Sequence, residues 1–186
     1  MLSELEYPSI LQAARTGADW AWTALYREVS PMLLRYLKAH GALEPEDTLG
    51  EVFVQVVRKF PAFAGDGADF RAWVFTIARN RLIDEWRRVR RNPVDLASDE
   101  VVSASLSCVR DVEEDLMSRV ADDRVREIIG RLTRDQRDVL FLRIFAGLTV
   151  EEVAAVVGKR PGAVKSLQTR AFAAVRREIS KEAVTL

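Results

Sequence analysis

The residues best placed to do chemistry here are cations, hydroxyls and an amide at helical spacing. Near the C-terminus, Val164, Leu167 and Ala171 recur at the period of one helical face, and Lys165, Ser166, Thr169 and Arg170 lie between them. With the first three turned inward, the other four fall on the opposite side near the helix start. Lysine or arginine there can donate to guanine O6 and N7, while serine and threonine read bases less selectively or hold phosphates. A second constellation lies at 71–91: seven arginines (Arg71, Arg79, Arg81, Arg87, Arg88, Arg90, Arg91) stand against Asp84 and Glu85, with Asn80 among them. Arginines hold phosphates, and an asparagine within their helix can pair with a base edge. Both groups suit contact with a polyanion.

Other chemistries are poorly supplied. Cys108 is the only cysteine and His40 the only histidine, which excludes an internal disulfide and leaves no cluster for zinc. With no convergent carboxylate motif either, the expectation is a protein that is not an enzyme, with no catalytic residue, cofactor, metal or small-molecule substrate. Cys108 reads as a free thiol. The formal net charge is +0, yet its distribution is uneven. Residues 92–123 carry nine acids against Arg110 and Arg119, and 159–181 carry seven bases against Glu178. Any one block could be an ordinary solvated helix face; two basic blocks flanking an acidic one favour a pair of polyanion contacts. The start of the chain is acidic and has no signal-peptide pattern, and no apolar run reaches the ~18 residues of a spanning helix. A soluble, cytoplasmic protein without membrane insertion is expected.

The elements that must position these groups read as all-α. With 186 residues, 48% of them hydrophobic, the chain can form one domain or two small ones. Trp22, Leu25, Tyr26, Val29, Leu33, Tyr36 and Leu37 form one stripe, with Asp19 as N-cap, Gly41 as stop, and Pro31 kinking or dividing the helix. Leu49, Val52, Phe53, Val56, Val57 and Phe60 form a second. After a break at 61–69, a third helix runs from Phe70 through Trp73, Val74 and Ile77 toward Trp86, and these three make the first domain. Trp73 reads as core; Trp86 is open. Residues 92–110 lack an apolar period, and helical pattern resumes with Leu116, Val120, Ile128, Ile129 and Leu132. Thr133 with Gln136 and Thr149 with Glu152 are capping boxes. The helix after the first carries Val139, Leu140 and Ile144 and ends at Gly147. The helix after the second is short, with Val153, Val156 and Val157 inward and Gly158 closing it. Pro161 opens the last helix, whose stripe is Val164, Leu167, Ala171, Ala174 and Val175. A short capped helix, a glycine turn and a longer basic helix are the parts of a helix-turn-helix, whose second helix lies in the major groove.

Three blocks together carry a wider resemblance. Glu46-Asp47-Thr48-Leu49-Gly50-Glu51-Val52-Phe53, the segment 70–80 and the segment 148–170 resemble, in order and spacing, the small bacterial sigma factors of the extracytoplasmic-function group, part of the sigma-70 family. The resemblance spans most of the chain. It implies two small helical domains: a region 2 bundle over 1–91, an acidic linker over 92–115, and a region 4 helix-turn-helix domain over 116–186. It also implies the partners: core RNA polymerase, promoter DNA and an anti-sigma factor. By position, Asp47, Glu51 and Gln55 then form the polymerase-docking surface. Lys59, Phe63, Asp66, Arg79, Asn80, Arg87 and Arg88 fall to the minus-10 element; Arg143, Arg160, Lys165, Ser166, Thr169 and Arg170 fall to the minus-35 element.

There are two departures from the family pattern. Gly50 stands where glutamine is usual, removing a docking side chain and costing about 1 kcal/mol of helix propensity. Leu167 and Thr169 replace an arginine and a bulky residue often found in the recognition helix, which leaves the preferred bases open. The linker resembles a segment that enters the polymerase channel, and its charge equally suits a solvated tether. Three other readings compete with a sigma factor: a free-standing helix-turn-helix regulator that dimerises on a palindrome, a helical adaptor for acidic proteins and, least supported, an enzyme.

Overall fold

The computed structural model describes residues 6–91 and 128–183, and among them every regular element is helical. The linker over 92–115, the helical pattern at Leu116 and Val120, and Cys108 lie outside the described residues. No helix among those described is long and apolar enough to cross a membrane.

The N-terminal half has one helix more than the three read from the sequence. Helix α1, Tyr7–Arg15, buries Tyr7, Ile10, Leu11 and Ala14, the i, i+3, i+4, i+7 face of a short helix. Nine residues are too few to be stable alone. Packing against the next helix and α4 supplies what propensity cannot. The Tyr7 ring rests on Gly67, where an added Cβ would lie 2.3 Å from it, so no side chain fits at that position.

Helix α2 spans Asp19–Ala39 without a break at Pro31. Both Pro31 and Arg27, whose carbonyl loses its partner, are exposed, so water can take the missing bond. Asp19 is not the N-cap: Ala18 holds that position in extended conformation with no side-chain bond, and Asp19 instead places a negative charge in the first turn. Gly41, at φ +71°, follows the helix end as read. Tyr26 is 44% exposed instead of core, although its ring still meets Phe53 edge-on at 4.5 Å.

Helix α3, Pro45–Lys59, buries Leu49, Val52, Phe53 and Val56, but Val57 is 49% exposed. At 100° per residue, Val57 has rotated off the stripe that Val56 and Phe60 complete. Phe60 opens a 3₁₀ turn, Phe60–Ala62. Helix α4, Gly67–Arg91, starts three residues before Phe70 because Asp66 and Asp69 cap it reciprocally. Asp66 Oδ1 accepts from the N–H groups of Ala68 (2.8 Å) and Asp69 (3.0 Å), while the Asp66 N–H donates to Asp69 Oδ2 at 3.1 Å.

The C-terminal half contains α5, Arg134–Ile144, α6, Val150–Val157, and α7, Pro161–Ala183. Both capping boxes are formed, at Thr133 with Gln136 and at Thr149 with Glu152. Gly147 and Gly158, each at φ +66°, make the left-handed turns that follow α5 and α6. Ile144 is not core; it is 55% exposed. Helix α5 instead buries all of Asp138, Val139, Leu140, Phe141 and Leu142. It is enclosed by α6 and α7 on one side and by Tyr36 and His40 of α2 on the other. A helix covered all round has no single stripe. One apolar cluster consequently runs through both halves, from Tyr7 and Leu82 to Val153 and Leu167, with α4 packed on α6. A smaller cluster joins Leu132, Leu140 and Ala171, with Ala174 and Val175 at its edge.

Candidate nucleic-acid interface

The α6 to α7 unit presents one exposed polar face. Val164, Leu167 and Ala171 are buried, which leaves Arg160, Lys165, Ser166, Thr169 and Arg170 exposed together at the start of α7. Three of them are steadied by their own helix. Ser166 Oγ donates to the Gly162 carbonyl (3.0 Å), Thr169 Oγ1 to the Lys165 carbonyl (3.0 Å), and Arg170 Nε to the Ser166 carbonyl (3.2 Å). These bonds leave the hydroxyl lone pairs and the outer guanidinium N–H groups open to a ligand. Arg143 stands apart from this face. It is half-buried and donates to the Leu148 carbonyl, tying down the turn between α5 and α6.

The candidate minus-10 residues, from the end of α3 to the end of α4, divide in the same way. Lys59, Asn80, Arg87 and Arg88 are exposed. Phe63 is 7% exposed, packed against Trp73 at 4.9 Å, Phe70 at 5.8 Å and Phe60 at 5.9 Å. Its ring anchors the loop from beneath. Asp66 is exposed, but its carboxylate caps α4. Arg79 is half-buried and faces the C-terminal half. Trp73 is partly buried against the core, as is Trp86.

On α3, Asp47, Glu51 and Gln55 occupy successive turns of one face, the first two exposed and Gln55 half-buried. Glu51 is ion-paired with Arg81 of α4. Val54, 67% exposed, and Val57 widen this face with apolar surface that the sequence reading placed in the core or passed over. Gly50 lies on the exposed side of α3, with nothing within 4 Å of an added Cβ. Gly50→Ala is therefore expected to stabilise the protein by about 0.5–1 kcal/mol through helix propensity alone. A chemical denaturation midpoint unchanged or lowered in the variant would contradict this.

The seam between the halves holds a polar cluster that the sequence reading missed. Asp138 of α5 is 1% exposed, and three side chains of the N-terminal half meet its carboxylate. The Tyr36 hydroxyl donates to Oδ1 at 2.8 Å, His40 Nε2 lies 2.9 Å from Oδ1, and Arg79 Nε donates to Oδ2 at 3.0 Å. His40 Nδ1 sits 2.8 Å from the Tyr36 carbonyl, so the ring lies between α2's own backbone and the Asp138 carboxylate. Nearby, Arg137 donates to the Ala39 carbonyl at 3.2 Å, and the Arg134 guanidinium lies 3.5 Å from the Trp86 ring centroid. Burial by itself would raise the Asp138 carboxyl. The hydrogen bond and charge of His40, then Tyr36 and Arg79, more than reverse this and hold it at about 2. A carboxylate depressed from 3.8 contributes stability above its unfolded value and loses it as pH falls through about 2. Asp138→Asn is thus expected to flatten the loss of thermal stability between about pH 4 and pH 2 relative to the wild type. Parallel melting curves over that range would show the carboxylate to be uncoupled.

Comparison with known proteins places these features in a family. Residues 25–92 match the family described as Sigma-70 region 2, and residues 122–175 that described as Sigma-70, region 4. The chain is 30% identical to the ECF RNA polymerase sigma factor BldN of Streptomyces coelicolor, covering 94% of this chain and 66% of that one. It is 32% identical to the ECF RNA polymerase sigma factor ShbA of Streptomyces griseus, over 90% of this chain and 92% of the relative. In fold it is similar to CnrH, solved in complex with the cytosolic domain of CnrY, with a TM-score of 0.66 at 22% identity over 92% of this chain and 96% of that one. A region 2 half and a region 4 half in one chain, together with relatives matched along most of its length, show that the protein belongs to the extracytoplasmic-function group of sigma-70 RNA polymerase sigma factors.

Proposed function

We propose that this sigma factor reads two promoter elements with two separate helices while a third helix holds core RNA polymerase. The observation that carries the reading is the exposed face of α7. Arg160, Lys165, Ser166, Thr169 and Arg170 lie together at the N-terminal end of the second helix of a helix-turn-helix, the part that enters the major groove. These residues contact the minus-35 element. Arg143, whose Nη1 donates to the Leu148 carbonyl, supports the turn that sets the angle of α7 and reaches DNA only through the guanidinium N–H groups that this bond leaves over.

The minus-10 element falls to Lys59, Asn80, Arg79, Arg87 and Arg88, with the loop carried by Phe63 and Asp66. Lys59 and the arginines hold phosphates, and Asn80 pairs with a base edge. Asp47, Glu51 and Gln55, with Val54 and Val57 beside them, dock on polymerase, the apolar pair supplying contact area and the carboxylates orientation. We place the region 2 domain at 1–91, the linker at 92–115 and the region 4 domain at 116–186. The protein performs no catalysis of its own and works in the cytoplasm. CnrH, whose fold this chain shares, is solved with the cytosolic domain of CnrY. A protein antagonist of that kind, an anti-sigma factor, is the proposed regulator.

Run-off transcription with core polymerase and a promoter library tests the assignment. Promoter-specific RNA is expected only when both proteins are present. Tight operator binding by the purified chain, without polymerase-dependent transcription, would instead favour a free-standing regulator.

A further inference from the structure

Helix α1 precedes residues 25–92, the part that matches Sigma-70 region 2, and none of the proposed DNA or polymerase contacts falls on it. Its two ends nevertheless meet the two ends of one loop. The stretch 61–66 leads from Phe60 at the end of α3 to Gly67 at the start of α4. At the first end of α1, the Tyr7 ring is pressed on Gly67: an added Cβ there would stand 2.3, 2.5 and 2.7 Å from three ring carbons. One turn further along α4, the Arg71 guanidinium lies 5.4 Å from the same ring's centroid. Gly67 and Arg71 are four residues apart on one helix face, so a single ring spans the first turn of α4. At the last residue of α1, the Arg15 guanidinium lies 5.6 Å from the centroid of the Phe60 ring. A helix of nine residues is about 13 Å long, and α1, seated on α2, forms a strut between the two ends of the loop.

We propose that α1 braces the 61–66 loop and that Tyr7 is a positioning residue for minus-10 recognition, acting through Gly67. The inference rests on the minus-10 reading of this loop. Tyr7 is 1% exposed, so its ring does not itself meet DNA. What the ring sets is where α4 begins. The Asp66 and Asp69 bonds tie the last loop residue to the first turn of α4, so a shift of Gly67 is carried into the loop. From beneath, Phe63 is held by Phe60 and Trp73, and Phe60 is the ring that Arg15 covers. A recognition group must be held within about 0.5 Å of its working position, which a loop achieves only when its ends and its middle are fixed by packing. Gly67 lets the ring come this close; a Cβ there would push α1 away from α4. Both contacts with α4 are made by the ring, so phenylalanine can replace tyrosine in this role and alanine cannot.

The test compares the full parent chain with Tyr7→Phe, Tyr7→Ala and Arg15→Ala by two readouts. One is backbone hydrogen exchange over residues 61–67 in the free protein. The other, with core polymerase, is the ratio of run-off transcripts from promoters that differ at a single minus-10 base. Such a ratio is blind to the fraction of folded protein, so a merely structural loss leaves it unchanged. Tyr7→Ala is expected to speed exchange in the loop about tenfold. It should also lower the minus-10 ratio about fivefold, the size of one weakened base contact, while a minus-35 ratio stays at the parent value. Tyr7→Phe should match the parent in both readouts. Arg15 is exposed, so Arg15→Ala opens no cavity and should show the same two changes to a smaller degree. If circular dichroism shows Tyr7→Ala to be unfolded, Arg15→Ala decides alone, and parent values in both readouts overturn the proposal. Unchanged loop exchange in folded Tyr7→Ala overturns the brace, and faster exchange with an unchanged minus-10 ratio overturns Tyr7 as a positioning residue. A parent protein that discriminates at no minus-10 base rejects the minus-10 reading; faster loop exchange in Tyr7→Ala then still supports the brace.

Discussion

Replacing Lys165 and Arg170 together by alanine is expected to abolish transcription from minus-35-dependent promoters while leaving the protein as stable as before. Both residues are exposed on α7, and neither contributes to the buried face formed by Val164, Leu167 and Ala171. If each makes a base contact, each truncation costs on the order of 1–3 kcal/mol, so the pair lowers promoter affinity by about a hundredfold or more. Single variants separate base reading from phosphate holding. Lys165→Ala should lose discrimination at one promoter position, measured by transcription from a library randomised across the minus-35 element. An equal loss on every promoter, with a shallower salt dependence, would reassign that residue to the DNA backbone.

Phe60→Ala is expected to be the most destabilising of these substitutions, at about 3–5 kcal/mol. Phe60 is 2% exposed and sits at the centre of an aromatic group: Trp22 meets it at 4.8 Å, Phe63 at 5.9 Å, Phe70 at 6.1 Å and Trp73 at 6.5 Å. The Arg15 guanidinium lies 5.6 Å from its ring centroid, so the same ring also holds the end of α1. No single neighbour can collapse into a space bounded by four rings, and the cavity term is added in full. Urea denaturation measures the loss, and Phe60→Leu, which keeps most of the volume, should lose less than half as much. Equal losses for the two variants would point to the ring edges in place of the filled volume. Because Phe63 anchors the loop before α4 on this same group, Phe60→Ala should also weaken minus-10 discrimination at temperatures where the variant is still folded.

Much of the α7 face was legible from residue order, and much of the seam was not. The caps at Thr133 and Thr149, the glycine turns at Gly147 and Gly158 and the start of α7 at Pro161 all appear where the sequence places them. Each depends on bonds or backbone angles spanning no more than about four residues. The exposed set on α7 follows from the helical period once Val164 and Leu167 are taken inward. The errors share an opposite character. Val57 and Ile144 were assigned to the core from period alone, but whether an apolar residue at the margin of a stripe is covered depends on the helix packed beside it. Helix α1 has the right spacing, yet nine residues become a helix only against α2 and α4. The packing of Phe63 on Trp73 likewise depends on how α4 lies against the loop before it, which residue order does not state.

The sequence by itself thus determined a helix-turn-helix with a basic, hydroxyl-bearing face, because caps, turns and faces are set by neighbours along the chain. Only the tertiary structure decided that Asp138, between a polar stretch and an apolar run, is charged, buried and held by Tyr36 and Arg79. Those partners lie 102 and 59 residues away, and a carboxylate can be enclosed only where folding brings such distant donors to its two oxygens.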